Sequence, residues 1–115
     1  MNKDLTAASA VPLILSLLIE QEDYGYSIIR RVRECSGGSL EWAEGMLYPI
    51  LHRLEQQGSL AVRFAVAENG RRRKYYHITE SDRIQLKELR EEWRMVNRTL
   101  ESSWDSEGEE YGYKE

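Results

Sequence analysis

Cysteine occurs once in the 115 residues, at Cys35, so no bridge can form within the chain and packing alone must hold the fold. With no leader-like segment at the start, a single thiol points to a reducing, cytoplasmic setting. Long apolar runs are missing too. The longest, residues 11–19, is interrupted by Ser16 and is far too short for a hydrocarbon layer of about 30 Å, so no membrane association is expected. Clusters that carry chemistry are equally scarce. There is no glycine-rich phosphate cradle and no nucleophile beside a base, and His52 and His77 stand apart without a second metal-ligand spacing beside either. Catalytic residues, a metal site and a cofactor are therefore not expected, which removes the enzyme classes.

A surplus of positive charge is also lacking, since the net charge is −4. The distribution matters more than the total. Residues 1–78 carry ten Lys/Arg against nine Asp/Glu, while residues 79–115 carry six against eleven. The acidity thus belongs to the C-terminal third, and the remainder can bind a polyanion if its cations are gathered on one face.

What is present is a clear periodic pattern, and 41% hydrophobic content suffices for one modest core. Ala10, Leu13, Ile14, Leu17 and Leu18 recur at helical spacing, with Ser9 as N-cap and Pro12 tolerable near a first turn or a kink. Residues 1–9 either extend this helix or form an arm. A second helix starts near Tyr24, capped by Asp23, with Ile28, Ile29 and Val32 as its apolar stripe, and stops before Ser36-Gly37-Gly38. A third follows from Leu47, Ile50, Leu51 and Leu54 and closes at Gly58, leaving Tyr48, His52 and Arg53 on its other face.

Over residues 60–67 the period changes to two, with Val62, Phe64 and Val66 alternating against Ala61, Arg63 and Ala65. Glu68-Asn69-Gly70 then supplies a hairpin turn, in which Asn and Gly tolerate positive φ, and residues 73–78 return as the partner strand. This places Arg71, Arg72, Arg73 and Lys74 at the hairpin tip. Thr79-Glu80-Ser81-Asp82 has the form of a capping box for a long helix over 79–104. Within it Leu86, Leu89, Trp93, Val96 and Leu100 step by 3, 4, 3 and 4, a dimerisation seam, and about 25 residues at 1.5 Å each make a rod of roughly 37 Å. The acidic residues 105–115, with Gly108 and Gly112 and no apolar period, are expected to be disordered.

Three helices followed by a hairpin is the order of a winged helix-turn-helix, a mainly α fold with a small β-hairpin (α+β), here in a DNA-binding unit over 1–78. Three segments carry a more specific resemblance: Tyr24-Gly25-Tyr26, Gly45-Met46-Leu47-Tyr48-Pro49-Ile50-Leu51-His52-Arg53-Leu54-Glu55, and Glu68-Asn69-Gly70-Arg71-Arg72-Arg73-Lys74-Tyr75-Tyr76-His77-Ile78-Thr79-Glu80. Together they resemble the PadR family of bacterial transcriptional regulators, over about residues 13–100, in the short subgroup with one C-terminal helix. The resemblance implies a homodimeric repressor on a palindromic double-stranded operator, with a planar aromatic effector as a further partner. Tyr48, Pro49, His52 and Arg53 match the recognition helix and Arg71 to Lys74 the wing, whereas Met46 stands where many relatives have a small hydroxyl residue.

The residues keep competing roles. Tyr24 and Tyr75 favour packing, while Tyr26 and Tyr76 are divided between packing and phosphate contact. Pro49 shapes its helix rather than touching a base. Trp93, with Asn97 one turn on, serves either as plain dimer packing or as a platform for a flat ligand, as a matching tryptophan does in drug-sensing relatives. The alternative to DNA binding is a winged-helix module for protein partners, which salt dependence distinguishes.

Overall fold

A computed structural model describes residues 2–110. Its order is α1 (Lys3–Glu20), α2 (Gly25–Cys35), α3 (Glu44–Gln56), β1 (Leu60–Val66), β2 (Arg72–Ile78) and α4 (Glu80–Glu110). Four helices and a two-stranded antiparallel hairpin confirm the expected α+β class.

The cap of α1 is Asn2 rather than Ser9: Asn2 Oδ1 accepts from the amides of Asp4 at 2.7 Å and Leu5 at 3.2 Å. Ser9 instead donates to the Leu5 carbonyl one turn back, at 2.7 Å, so residues 3–9 extend the helix and form no arm. Farther along, Ala10, Ile14, Leu15, Leu17 and Leu18 are all buried. Such a wide buried surface makes α1 the central helix, packed by α2, β2 and the start of α4.

Asp23 was expected to cap α2, but α2 begins without a side-chain cap. The carboxylate is buried and spends its oxygens on the Tyr24 amide at 2.9 Å, the Ser27 hydroxyl at 2.7 Å and Arg31 at 3.0 Å. Arg31 also donates to the Leu17 carbonyl and pairs with Glu20, both at 3.0 Å. A buried charge needs such complete pairing, and here it ties the end of α1 to the flank of α2. Leu47, Leu51 and Leu54 bury one face of α3 as expected, and Ile50 is half-buried at its margin. Trp42, in the loop before α3, joins the core without any periodicity to announce it.

The hairpin pairs Leu60 with Ile78 at its root and Val66 with Arg72 at its far end. The strand period is correct, yet Phe64 (55% exposed) and Val66 (72%) are bare, because the hairpin runs out past the helices that would cover them. In the turn only Gly70 uses positive φ, at 82°; Asn69 instead accepts from the Arg71 amide through Oδ1 at 3.0 Å. The tip is therefore Glu68-Asn69-Gly70, and the basic run flanks it along β2 rather than forming it. At Tyr76 the other edge of β2 makes two backbone bonds with Asp23, of 2.8 and 3.1 Å.

The capping box before α4 does not form. Thr79 donates its amide to the Ser59 carbonyl at 3.0 Å and its hydroxyl to the Gly58 carbonyl at 2.9 Å, and Asp82 accepts from the Ser59 hydroxyl at 3.1 Å. The chain at this point is still stitched to the turn between α3 and β1. Two further corrections concern α4. Leu86 is fully buried against the protomer's own core and so is not available to the expected seam; the apolar stripe is exposed only beyond Leu89. The helix also passes residue 104 and reaches Glu110, 31 residues or about 46 Å, so residues 105–110 are helical rather than disordered. Residues 111–115 of the expected tail lie outside the described residues. No helix among those described is long and apolar enough to cross a membrane.

Candidate nucleic-acid interface

The N-terminus of α2, the exposed side of α3 and strand β2 enclose an open groove of about 550 Å³. Tyr26, Tyr48, Arg71, Arg72, Arg73 and Lys74, all candidates for DNA contact, line it together with Tyr24, Gly25 and Glu44. His52 and Arg53 lie farther along the exposed face of α3, outside the groove.

Gly25 is what lets α2 and α3 meet as they do. A β-carbon there would stand 2.5 Å from the Tyr48 hydroxyl oxygen and 2.6 Å from Cζ, so any other residue would displace that ring. Partial burial, with Glu44 adding a smaller effect, pushes the Tyr48 phenol above its usual range. It therefore stays a protonated hydrogen-bond donor at neutral pH. Glu44 places negative charge in the first turn of α3, where the helix dipole favours it.

Alternation along β2 separates the basic residues. Arg72 lies over the Phe64 ring at 4.6 Å, and Arg73 over the Tyr24 ring at 4.2 Å. Tyr24 in turn meets Tyr75 edge-on, with centroids 5.6 Å apart, and Arg63 covers Tyr75 at 4.9 Å. Not every cation is free. Lys74 pairs with Glu55 of α3 at 3.1 Å, a hydrogen bond that holds its ammonium above the usual lysine range. Arg63 makes a two-pronged ion pair with Glu22. On α3 and the wing, the salt bridges among the described residues leave out Arg53, Arg71, Arg72 and Arg73.

Tyr76 requires a correction. At 4% exposure it belongs to the core, so it forms the floor of the groove and has almost no surface to offer a phosphate. Tyr26, 62% exposed, is open to contact. Tyr24 and Tyr75 are half-buried packing residues, as expected. Gly25 and Glu44 were not identified as groove residues from sequence, although the Tyr-Gly-Tyr segment flagged the first.

On α4, Leu89, Glu92, Trp93 and Val96 bound a shallow apolar hollow of about 180 Å³. Asn97, the expected neighbour of a ligand, is exposed and takes no part in its wall, which instead includes the Glu92 side chain. Val96, Leu100 and Trp104 continue as an exposed apolar stripe.

A helix pair with an exposed second helix, flanked by an arginine-bearing hairpin, defines a winged helix-turn-helix, a class of DNA-binding protein. Residues 14–88 match the model of the transcriptional regulator PadR-like family. A transcriptional regulator from Clostridium thermocellum is 30% identical and superposes with a TM-score of 0.79, over 89% of this chain and 96% of that one. A PadR-like transcriptional regulator from Bacillus cereus is 26% identical, with a TM-score of 0.78 over 89% and 97%. An uncharacterized protein of Lysinibacillus sphaericus is 29% identical over 101 residues, 88% of this chain and 93% of its own length. The chain belongs to the PadR-like family: it is a DNA-binding transcriptional regulator and not an enzyme.

Proposed function

We propose that the protein is a cytoplasmic, homodimeric repressor whose two grooves take the backbone of successive half-sites in a palindromic operator. The observation that carries this reading is the set of three arginines, unpaired by any carboxylate, beside the exposed face of α3. Arg71, Arg72 and Arg73 supply phosphate affinity, with Tyr26 and Tyr48 donating hydroxyl bonds; Tyr48, His52 and Arg53 present α3 to base edges. Lys74 contributes less, being held by Glu55. Dimerisation runs through Trp93, Val96 and Leu100, with Leu89 at the inner margin.

A salt titration of duplex binding tests this. Six phosphate contacts per dimer give a log–log slope on the order of −5, and replacing all three arginines by alanine flattens it and weakens binding on every sequence. A protein-binding module would show no duplex affinity at low salt. Loss of base preference upon changing the arginines, with total affinity intact, would contradict the division between wing and α3.

The hollow at Trp93 favours a second element, a planar aromatic effector that stacks on the indole and changes the spacing of the two grooves. Such a compound would quench fluorescence in the parent but not in Trp93→Phe, and would lower operator affinity. If the operator affinity stays constant at saturating compound, the effector role is wrong.

A further inference from the structure

The cations of the wing differ in what holds them. Arg63 and Lys74 are each bonded to a carboxylate, which uses the N–H edge of the group. All four lie over a ring, Arg63 over Tyr75 at 4.9 Å and Lys74 over Tyr76 at 5.3 Å, but Arg72 and Arg73 have the ring alone, Phe64 at 4.6 Å and Tyr24 at 4.2 Å. A guanidinium carbon over a ring is restrained by that contact, and no hydrogen bond or salt bridge among the described residues takes up the N–H donors of Arg72 or Arg73. The ring therefore does for Arg73 what a carboxylate cannot: it fixes the group without consuming its donors or its charge. Tyr24 is itself held from two sides. Its backbone follows Asp23, bridged to Tyr76, and its ring meets Tyr75 edge-on.

We propose that Tyr24 and Phe64 are positioning residues that hold Arg73 and Arg72 apart, presenting their free N–H edges to two different phosphates of the same duplex. This rests on the DNA-binding reading above. Successive residues of a strand point to opposite faces, and each arginine meets its own ring, so the run acts as two aimed donors rather than one diffuse patch. Restraint before binding lowers the entropy lost when the side chain engages its target.

The test is a double-mutant cycle on operator affinity, using Tyr24→Leu, Arg73→Ala and the pair, with melting curves as a check on folding. Tyr24→Leu is expected to weaken binding about three- to fivefold, the scale of an exposed cation–π contact. In the Arg73→Ala background the same change should have almost no effect, and Tyr24→Phe should rescue affinity. Equal losses in both backgrounds would mean that Tyr24 merely supports the fold, and would overturn the proposal. The stack can also be read without DNA. The side-chain resonances of Arg73 should carry a ring-current shift in the parent and in Tyr24→Phe, lost in Tyr24→Leu. No shift in the parent would overturn the proposal even if DNA binds. A shift without duplex affinity in the parent would instead remove the phosphate role along with the DNA-binding reading.

Discussion

The two ends of α4 carry similar residues on one continuous stripe and meet opposite surroundings. Leu86 is fully buried against the central helix, whereas Trp104, five turns farther on, is 56% exposed. The heptad spacing identifies the apolar side of the helix and says nothing about what covers it. For the first turns the cover is the protein's own core; beyond Leu89 the protomer supplies none, and the proposed dimer would. One helix thus serves as core element at its start and, under the proposed dimer, as assembly surface farther on.

The sharpest way to break that comparison is to exchange the losses. Leu86→Ala should destabilise the fold by about 2–5 kcal/mol, as large-to-small changes in buried positions do. Denaturant unfolding would measure it, and a loss below 1 kcal/mol would mean that Leu86 behaves like a surface residue. Val96→Asp should leave the winged-helix core intact while halving the mass in sedimentation equilibrium, since a buried unpaired carboxylate is poorly tolerated in an apolar interface. An unchanged mass would show that the exposed stripe is not the interface.

The same opposition between satisfied and open groups runs through the groove. Gly25→Ala places a methyl where the Tyr48 phenol now lies. Because the ring can swing outward, the expected outcome is a modest change in melting temperature and a loss of operator affinity of about tenfold, comparable with one charge-assisted hydrogen bond. Equal affinity in a gel-shift titration would show that the ring position is unimportant. The smallest effect is expected at Glu22, whose carboxyl its hydrogen bond with Arg63 holds below the usual range. A depressed folded pKa contributes stability above the unfolded value and loses it as pH falls through the folded one. The difference in stability between the parent and Arg63→Ala should accordingly be present at neutral pH and vanish in acid. A difference that persists in acid would assign it to the stacking on Tyr75 instead.

Much of this was legible from spacing. The stripes of α1, α2 and α3, the period-two strand and the Glu-Asn-Gly turn located the first five elements, because each pattern reflects which side of that element faces the core. What failed were the local hydrogen-bond assignments. Ser9, Asp23 and Thr79 all have the composition of caps, yet each bonds elsewhere: Ser9 to Leu5 within a helix that already began at Asn2, Asp23 to Arg31 on the next helix flank, and Thr79 to the distant turn after α3. Of the groove, the arginines and Tyr48 were legible as exposed residues on patterned elements. The burial of Tyr76 was not, since its neighbour Asp23 arrives from another part of the chain. Likewise the end of α4 contains Gly108, a poor helix former, and the helix nonetheless continues past it.

The backbone bridge between Asp23 and Tyr76 has a mechanical consequence. It clamps the base of the hairpin, Arg31 ties that point to the end of α1, and the Lys74–Glu55 pair braces the strand farther out. Arg72 lies four residues beyond the clamp, an arm of about 13 Å, so a swing of ten degrees at the pivot moves it by roughly 2 Å. The wing is a lever with its fulcrum on the helical body. A small rotation at the root of the wing thus displaces its arginines by an amount that separates a made hydrogen bond from a lost one.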